Sequence, residues 1–460
     1  MTRIVYWNIS KFGTNKIADP KHPLSSVARR NLIRSVITAA QPDILVVGEV
    51  SARRSYPPGM LTSGAGLDVC TTLLAWLRGI AGDWRLVPPL VVGRIGSAEA
   101  VAIFYRGMIG AAGTRIFTGP YWSSGTIPAY SSPPGAGVPA PGNAYVGAAA
   151  ALLVPSRTVP AGGLFNPGAE ENRLAACIDF HMAPAAGMAG WTIDFINRRQ
   201  PYMCTFCETD AAGAVRNLTL IAVHPPPGAP DAILATLAAS QEIQRALGAN
   251  EIRIVLGDFN MPLLNADGTP ANPYGLPATF VPALRMQGPV PANHLDSYKG
   301  YATTHIKQPW RWNPVENKWD QTANFFSAIG TTREYPGLGY FGAAGFQNFY
   351  SIDNILVEQA AAPAAGYPST VANTVVGTPY TDPFGRAVAN NLPLGVINFA
   401  RHFINPPPIL AAPFTNFPWG AALEGTAPGF ALGLNSNLIS SPNYAHIYDT
   451  SDHFAVCADV

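Results

Sequence analysis

Val255-Leu-Gly-Asp-Phe-Asn-Met-Pro262 decides the fold, because in this stretch an apolar run leads directly into an acidic and an amide side chain. The run from Arg253 to Leu256 is typical of a strand, and Asp258 and Asn260 follow at its end. In layered α/β folds, functional side chains gather on loops at strand ends, where a rigid sheet holds them. The stretch therefore predicts a functional site at one edge of a sheet.

The same pattern recurs from one end of the chain to the other. Apolar runs lead into Asn8, Glu49, His224 and Asp353, and the pair Asp452 and His453 opens a predicted last strand over residues 453–459. Because the polar ends lie so far apart in sequence, a single fold must use both ends of the chain. We therefore predict one domain over residues 1–460.

Helical patterns alternate with these strands near residues 26–40, 67–80 and 230–247, the first with Ser25 or Ser26 as its N-cap. Such alternation predicts an α/β fold, an α+β four-layer sandwich in which helices flank two packed mixed β-sheets. The extra length is assigned to large loop insertions rich in Gly, Pro and Ala or in aromatic residues, at 107–170, 262–345 and 358–448.

Composition excludes several classes of protein. The 29 Lys and Arg residues nearly balance the 28 Asp and Glu residues, so a globally basic coat for nucleic acid is absent and any such binding needs a local patch. The five cysteines at irregular spacing do not form a disulfide framework. No apolar run long enough to span a bilayer and no signal peptide is visible, so we expect a soluble protein, cytoplasmic or exported by a signal-less route.

The polar side chains at the strand ends point to one chemistry. Oxygen ligands such as Glu49, Asp258, Asn260 and Asp452 suit Mg²⁺ or Mn²⁺, with Ca²⁺ also open. Histidines paired with carboxylates suit general acid–base catalysis. Together they predict metal-assisted hydrolysis of a phosphoester, in which a positioned base activates water.

A set of motifs in fixed order strengthens this interpretation. Beside the 255–262 stretch, the set comprises Trp7-Asn-Ile-Ser-Lys-Phe-Gly13, Pro42-Asp-Ile-Leu-Val-Val-Gly-Glu-Val50, Glu99-Ala-Val-Ala-Ile-Phe-Tyr-Arg106, Arg199-Gln-Pro201, Val223-His-Pro-Pro-Pro-Gly228, Tyr350-Ser-Ile-Asp-Asn-Ile-Leu-Val357 and Thr450-Ser-Asp-His-Phe-Ala-Val456. The order resembles the endonuclease/exonuclease/phosphatase superfamily, and within it the secreted pancreatic-type deoxyribonucleases.

The resemblance implies roles for individual residues. Glu49 and Asn8 would bind the metal, and Asp452 would share it. Asp258 and Asn260 would position the phosphate and the attacking water. The remaining assignments are His453 oriented by Asp353 and His224 oriented by Glu99 as the acid–base pair, and Arg199 on a phosphate oxygen. Independently of the resemblance, the aromatic-dense segment Gln308-Pro-Trp-Arg-Trp-Asn313 offers Trp310 and Trp312 as stacking surfaces for unpaired bases, with packing inside a large insertion as the alternative.

The sequence also departs from the deoxyribonuclease pattern. Ser51 and Ser97 stand where those enzymes place Arg and Tyr in the minor groove of DNA, and Ser10 replaces an Arg.

DNA remains the first substrate to test, with RNA as a further candidate. A phospholipid or inositol-phosphate phosphohydrolase is the alternative enzyme, although the 350–357 segment lacks the Cys-Asp-Arg signature of inositol 5-phosphatases. A non-catalytic binding protein of the same fold is the alternative from another class.

Overall fold

Two mixed β-sheets pack face to face, with helices against each of them. The computed structural model describes residues 2–52, 59–61, 63–80, 84–93, 96, 98–106, 108–109, 115–118, 199, 201–209, 215–226, 230–244, 246–247, 251–261, 275–283, 310–313, 318–321, 333–335, 339–342, 345–346, 352–359 and 449–460. This is the α/β class that the sequence predicts.

The first sheet has six strands in the spatial order β18-β1-β2-β5-β4-β3. Its strands are β1 (Arg3–Phe12), β2 (Ile44–Val50), β3 (Gly59–Met60), β4 (Trp84–Val92), β5 (Glu99–Arg106) and β18 (Val456–Asp459). β1 and β2 are parallel, and the other neighbours in this sheet are antiparallel.

The second sheet has seven strands in the order β11-β17-β10-β9-β8-β7-β6. Its strands are β6 (Met108–Ile109), β7 (Arg115–Thr118), β8 (Tyr202–Thr209), β9 (Val215–Val223), β10 (Glu251–Asp258), β11 (Phe280–Pro282) and β17 (Asp353–Gln359). β9 and β10 are parallel, and the other neighbours are antiparallel.

Two smaller sheets lie within the segment 262–345 or directly after it. They are formed by β12 (Trp310–Asn313) with β13 (Lys318–Gln321), and by β14 (Arg333–Tyr335), β15 (Gly339–Gly342) and β16 (Gly345–Phe346).

Helices connect the parallel strands. The helices of the described residues are α1 (Thr14–Ile17), α2 (Pro23–Ala40), α3 (Ala65–Ile80), α4 (Pro230–Ala238) and α5 (Gln241–Gln244). The β1-to-β2 connection contains α1 and α2, and the β9-to-β10 connection contains α4 and α5, so each sheet has one parallel pair joined through helices. This topology requires long connections, because parallel strands cannot be joined by a tight turn.

Side chains from both sheets fill the space between them. The rings of Tyr105 in β5 and Phe206 in β8 lie 5.0 Å apart, centroid to centroid. The Thr2 hydroxyl, next to β1, donates a hydrogen bond of 2.6 Å to Glu208 in β8. Because strands from both sheets are buried on both faces, they appear in the sequence as continuous apolar runs.

The topology brings the polar strand ends together. β1 and β2 run in the same direction, so Asn8 and Glu49 lie at the same edge of the first sheet. In the second sheet, Asp258 at the end of β10 pairs with Asp353 at the start of the antiparallel β17. The functional edge is therefore where the parallel strands end and their antiparallel neighbours begin.

Several elements differ from the sequence prediction. The first long helix begins at Pro23, and neither Ser25 nor Ser26 is its N-cap, because proline at the first position starts the helix after His22. Ser26 instead accepts a hydrogen bond from the backbone N–H of Asp19. The predicted helix 230–247 is two helices separated at Ala239 and Ser240.

Strands occupy regions that the sequence assigned to insertions. β6 and β7 lie within 107–170 and β11 lies within 262–345, yet all three belong to the second sheet, and β17 extends past residue 358. β4 was missed, and the last strand begins at Val456 rather than at His453. Most of the proposed insertions lie outside the described residues.

No helix in the described part of the chain combines the length and the apolar character needed to cross a membrane.

Gly257 gives a test of the packing beside the site. Its φ is +153°, and a Cβ added there would lie 1.9 Å from the Val223 carbonyl oxygen in β9. Alanine at this position must separate the parallel strands, so we expect Gly257→Ala to lower the free energy of unfolding by about 3 kcal/mol. Chemical denaturation measures the loss.

Gly79 in α3 provides the matched control. A Cβ added there meets nothing within 4 Å. Gly79→Ala should raise the stability by about 0.5–1 kcal/mol, because alanine is the better helix former. Equal effects of the two substitutions would contradict the assigned packing of β9 on β10.

Candidate active site

One carboxylate oxygen lies at the centre of the site. Oδ2 of Asp258 is 3.3 Å from Nδ2 of Asn8, 3.4 Å from Nε2 of His224 and 3.7 Å from Nε2 of His453. Asp258 comes from the end of β10, whereas Asn8 belongs to the other sheet, so the site spans the interface between the two sheets. Asp258 itself is 2% exposed.

His224 follows β9 and is held by a carboxylate from the first sheet. Its Nδ1 lies 2.6 Å from Oε1 of Glu99, at the start of β5. Burial alone would lower the pKa of His224, but the negative charges of Glu99 and Asp258, together with the Glu99 hydrogen bond, outweigh it and raise the pKa. The carboxylate at Nδ1 leaves Nε2 facing Asp258.

His453 has the same arrangement on the other side of Asp258. Its Nδ1 lies 2.8 Å from Oδ2 of Asp353, which is fully buried at the start of β17. Burial lowers the pKa of His453, but the Asp353 charge and hydrogen bond and the charges of Asp258 and Asp452 raise it to about 10. In the metal-free protein this imidazole is therefore held as the cation at neutral pH.

Asn8 and Glu49 form the oxygen-rich corner of the site. Nδ2 of Asn8 donates to Oε1 of Glu49 at 3.1 Å, which directs the amide nitrogen toward the carboxylates. The other amide atom, Oδ1 of Asn8, is buried and has no hydrogen-bond partner among the described residues. Amide and carboxylate oxygens are ligands that a hard cation such as Mg²⁺ prefers, so the donor atoms of these two residues fit a divalent metal ion.

The titratable groups that lie close enough to share an ion form two clusters. In the described part of the chain these clusters are Glu49, Glu99 and His224, and Asp258, Asp353 and His453. Asp452 belongs to neither cluster; its Oδ1 lies 3.9 Å from Nε2 of His453. The structure thus places Asp452 beside His453, and its predicted share in the metal stays a prediction.

Two of the four non-glycine residues with positive φ in the described part of the chain belong to this site. Glu49 has a φ of +53° and Asn260 a φ of +51°, both in the left-handed region that non-glycine residues seldom adopt. For a glutamate this conformation costs on the order of 1 kcal/mol. Strain of this kind persists where the surroundings impose it, and it clusters at functional sites.

Asn260 and Arg199 line the remaining sides. The amide of Asn260 donates to the carbonyl of Pro225 at 2.8 Å, and its backbone N–H donates to Oδ1 of Asp258 at 2.9 Å. Arg199 places Nη2 3.2 Å from Oε2 of Glu99. Its Nη1 is buried and has no partner within the described ranges, so it remains available to an anion.

The structure brings ten of the twelve predicted site residues to this edge. The ten are Asn8, Glu49, Glu99, Arg199, His224, Asp258, Asn260, Asp353, Asp452 and His453. Trp310 and Trp312 lie in β12, whose backbone pairs with β13, and their side chains are outside the described part of the structure.

Sequence reasoning missed three residues that contact this site. Ser451 bonds both Asn8 and His453, and Trp7 donates to the carbonyl of His453 at 2.9 Å. The buried hydroxyl of Tyr6 lies so close to Gly48 that a Cβ there would be 2.7 Å from it. The alternation of β1 places Tyr6 on the same face as Asn8, a signal that was available from the sequence.

The two facing sheets thus hold two histidine–carboxylate pairs and the amide and carboxylate of Asn8 and Glu49 at one edge. The model of the Endonuclease/Exonuclease/phosphatase family matches residues 5–367, and the chain belongs to this family. Members of the family are metal-dependent phosphoesterase hydrolases. No curated protein sequence matches the chain.

Solved structures resemble the chain at low sequence identity. A humanized TDP2 from D. rerio is 11% identical, with 100% of this chain and 99% of that chain covered and a TM-score of 0.32. The D. rerio TDP2 complexed with a single-strand DNA product is 13% identical over 85% of this chain and 95% of that one, with a TM-score of 0.31. The human Nocturnin catalytic domain with bound sulfate is 11% identical over 57% and 65%, with a TM-score of 0.25. Values this low assign no substrate.

The charge of His453 in the metal-free protein is testable. Asp353→Asn keeps a hydrogen-bond acceptor at Nδ1 but removes the negative charge, so we expect the pKa of His453 to fall well below that in the wild type. The ¹⁵N chemical shifts of the imidazole in EDTA-treated protein measure this change. Asp231→Asn, which alters an exposed carboxylate on α4, is the control.

The raised pKa of His453 also predicts how the stability of the protein changes with pH. A histidine whose pKa is raised by folding stabilises the metal-free protein fully below its ordinary value of about 6.5, and this contribution is lost as the pH rises toward the folded value. The wild type should therefore lose stability, relative to Asp353→Asn, as the pH rises through this window. An unchanged imidazole titration in Asp353→Asn would contradict the assignment.

Proposed function

We propose that the protein is a divalent-metal-dependent phosphodiesterase that hydrolyses nucleic acid, with DNA as the first substrate and RNA as the second. One observation carries the proposal: the Nε2 atoms of His224 and His453 face the same Asp258 oxygen, and each Nδ1 is held by a carboxylate. Two imidazoles presented in this way can supply one proton acceptor and one proton donor around a single reacting group.

The reaction is a displacement at phosphorus. A water oxygen forms a bond to phosphorus while the bond from phosphorus to the leaving oxygen breaks. One imidazole, or Asp258, accepts a proton from the water, and the other imidazole donates a proton to the leaving oxygen. Asn260 and Asp258 are proposed to position the water and the phosphate, because their backbone and side chains are already fixed to each other.

Charge at the site supports a requirement for a cation. Five carboxylates surround the reacting position, whereas Arg199 is the permanent cation among the site residues described above; the five are Glu49, Glu99, Asp258, Asp353 and Asp452. A phosphodiester is itself an anion and would be repelled by this arrangement. A divalent cation held by Asn8 and Glu49, with Asp452 as a further proposed ligand, would neutralise phosphate charge and polarise the phosphorus centre.

Substrate contacts are proposed for Arg199 and for the two tryptophans of β12. The open Nη1 of Arg199 is a donor for a phosphate oxygen, and its bond to Glu99 would link that contact to the His224 pair. Trp310 and Trp312 are proposed to stack unpaired bases, since base–aromatic stacking is tolerant of sequence.

Cleavage of supercoiled plasmid tests the function. We expect nicking with Mg²⁺ or Mn²⁺, none with EDTA, and a loss of roughly 100-fold or more in turnover for His224→Ala and for His453→Ala, because each removes a proton-transfer group. His22→Ala is the matched control, since His22 is exposed at the start of α2 and its side chain makes no capping bond.

The result that would sink the DNA proposal is a folded, metal-loaded wild type that leaves plasmid intact. RNA, phospholipid and inositol-phosphate substrates would then be tested in that order, with the same variants. Hydrolysis of one of these that needs both histidines would keep the phosphohydrolase chemistry and change the substrate. No hydrolysis of any phosphoester would favour a non-catalytic binding protein.

The tryptophans make a separate prediction about the form of the substrate. The double variant Trp310→Ala and Trp312→Ala should lose roughly 10-fold or more in affinity for single-stranded DNA, because each stacked base contributes about 1–3 kcal/mol. Binding to duplex DNA should change less, since its bases are already stacked. Fluorescence anisotropy with both forms measures the difference, and equal losses on the two would contradict base stacking.

A further inference from the structure

The backbone of His453 is fixed at both of its polar atoms. Its N–H donates to the hydroxyl oxygen of Ser451 at 2.9 Å, and its carbonyl accepts from Nε1 of Trp7 at 2.9 Å. Trp7 belongs to β1, which pairs with β18 a few residues beyond His453. The histidine is therefore positioned by the first strand as well as by its Asp353 partner.

Ser451 makes a second bond that reaches the other functional corner. Its hydroxyl donates to the main-chain carbonyl of Asn8 at 2.6 Å, although the two residues are 443 positions apart in the chain. A hydroxyl has one hydrogen to donate, and here it is used on Asn8 while the oxygen accepts from His453. One atom thus sets the spacing between the backbones of Asn8 and His453.

Burial makes this bridge difficult to replace. Ser451 is 2% exposed, and both partners are buried. Without the hydroxyl, the Asn8 carbonyl and the His453 N–H lose a shared partner in a place that water does not readily reach, and such buried groups are costly to leave unbonded. When the hydroxyl is removed, we expect the loop that carries Ser451 to shift relative to β1.

A second contact nearby holds the same loop from outside the site. Nζ of Lys16 in α1 donates to the carbonyl of Asp449 at 2.8 Å. This bond fixes the start of the segment that leads to Ser451 but touches neither Asn8 nor His453. The Lys16 bond therefore does not replace the hydroxyl of Ser451, which contacts both Asn8 and His453.

We infer that Ser451 is a positioning residue that couples the metal-binding amide of Asn8 to the imidazole of His453. The inference rests on the proposed function, in which Asn8 binds the cation and His453 transfers a proton. Ser451 touches neither the substrate nor the metal in this scheme. It keeps the two groups at the separation that hydrolysis needs, and partners of this kind typically affect metal affinity or activity by 10–100-fold.

The test compares Ser451→Ala with a serine of similar burial elsewhere. Ser240, between α4 and α5, is fully buried and its hydroxyl accepts from the Ile243 N–H at 3.3 Å, so Ser240→Ala is the matched control. Titration calorimetry with Mn²⁺ alone measures metal affinity without any turnover. Hydrolysis of plasmid and of a chromogenic phosphodiester gives kcat and KM.

For Ser451→Ala we expect the Mn²⁺ dissociation constant to rise and kcat to fall, each on the order of 10-fold, with KM changed less than about twofold. Ser240→Ala should leave all three values unchanged even if it melts earlier. Ser451→Ala with wild-type Mn²⁺ affinity and kcat would overturn the inference, and so would equal kinetic effects in both serine variants.

A second variant distinguishes coupling from general loosening of the loop. Trp7→Phe removes the bond to the His453 carbonyl but leaves the Asn8 bridge, so kcat should fall while Mn²⁺ affinity stays at the wild-type value. An equal loss of Mn²⁺ affinity in Trp7→Phe would contradict a specific role for the hydroxyl. A wild type that binds Mn²⁺ but hydrolyses no phosphoester would defeat the proposed function, and the calorimetry would still decide the coupling of Ser451 to Asn8.

Discussion

The approach of Asn8 to Asp258 is the contact on which the rest of the site depends. Their side chains meet at 3.3 Å across the interface between the two sheets. Asp258 ends β10, and Asn8 lies in β1 where its parallel register with β2 shifts. The separation of the sheets is set by buried side chains between them, such as Tyr105 and Phe206. Because protein interiors are close-packed, a change of packing far from the site would change this distance. The core therefore determines the active geometry as directly as the polar residues do.

The contact between Asn8 and Asp258 lies in a buried region that also contains the carboxylates of Glu99 and Asp353. Carboxylates at this edge are stabilised by two histidines, by Arg199 and by the amide of Asn8, but together these do not balance the acidic groups. The divalent cation proposed for this edge would bind the folded chain more tightly than the unfolded chain, so metal binding would add to the folding stability. The acidic edge is a property of the fold as a whole, because its members come from β2, β5, β10, β17 and the 449–453 loop.

Much of this arrangement could be predicted from the sequence, for a physical reason. Strands buried on both faces appear as apolar runs, and the polar residue that ends each run marks the sheet edge, which is how Asn8, Glu49, Asp258 and Asp353 were found. Partners could be assigned only through resemblance to a family, because the Glu99–His224 and Asp353–His453 pairs join residues that lie 125 and 100 positions apart.

Other features could not be predicted from local pattern. β4 contains two consecutive prolines, which argue against a strand, and β11 is only three residues long, so neither carries a recognisable period. The role of Ser451 depends on a bond to the Asn8 carbonyl, and a main-chain acceptor leaves no trace in the identity of the residue that carries it. The strained backbone at Glu49 is likewise imposed by the assembled structure and not by the preference of a glutamate.

The pairing of β1 with β18 has a consequence for the order in which the site can form. Thr2 and Val460 exchange backbone hydrogen bonds of 2.8 and 3.0 Å, so one edge of the first sheet joins segments from opposite ends of the sequence. A nascent chain that still lacks residues 449–460 has no His453, no bridge from Ser451 to Asn8, and β2 but not β18 as a partner for β1. Domains fold from the amino terminus as synthesis proceeds, but this site cannot be assembled until residues 449–460 have left the ribosome. The proposed phosphodiesterase would therefore gain its complete acid–base pair only after β18 has paired with β1.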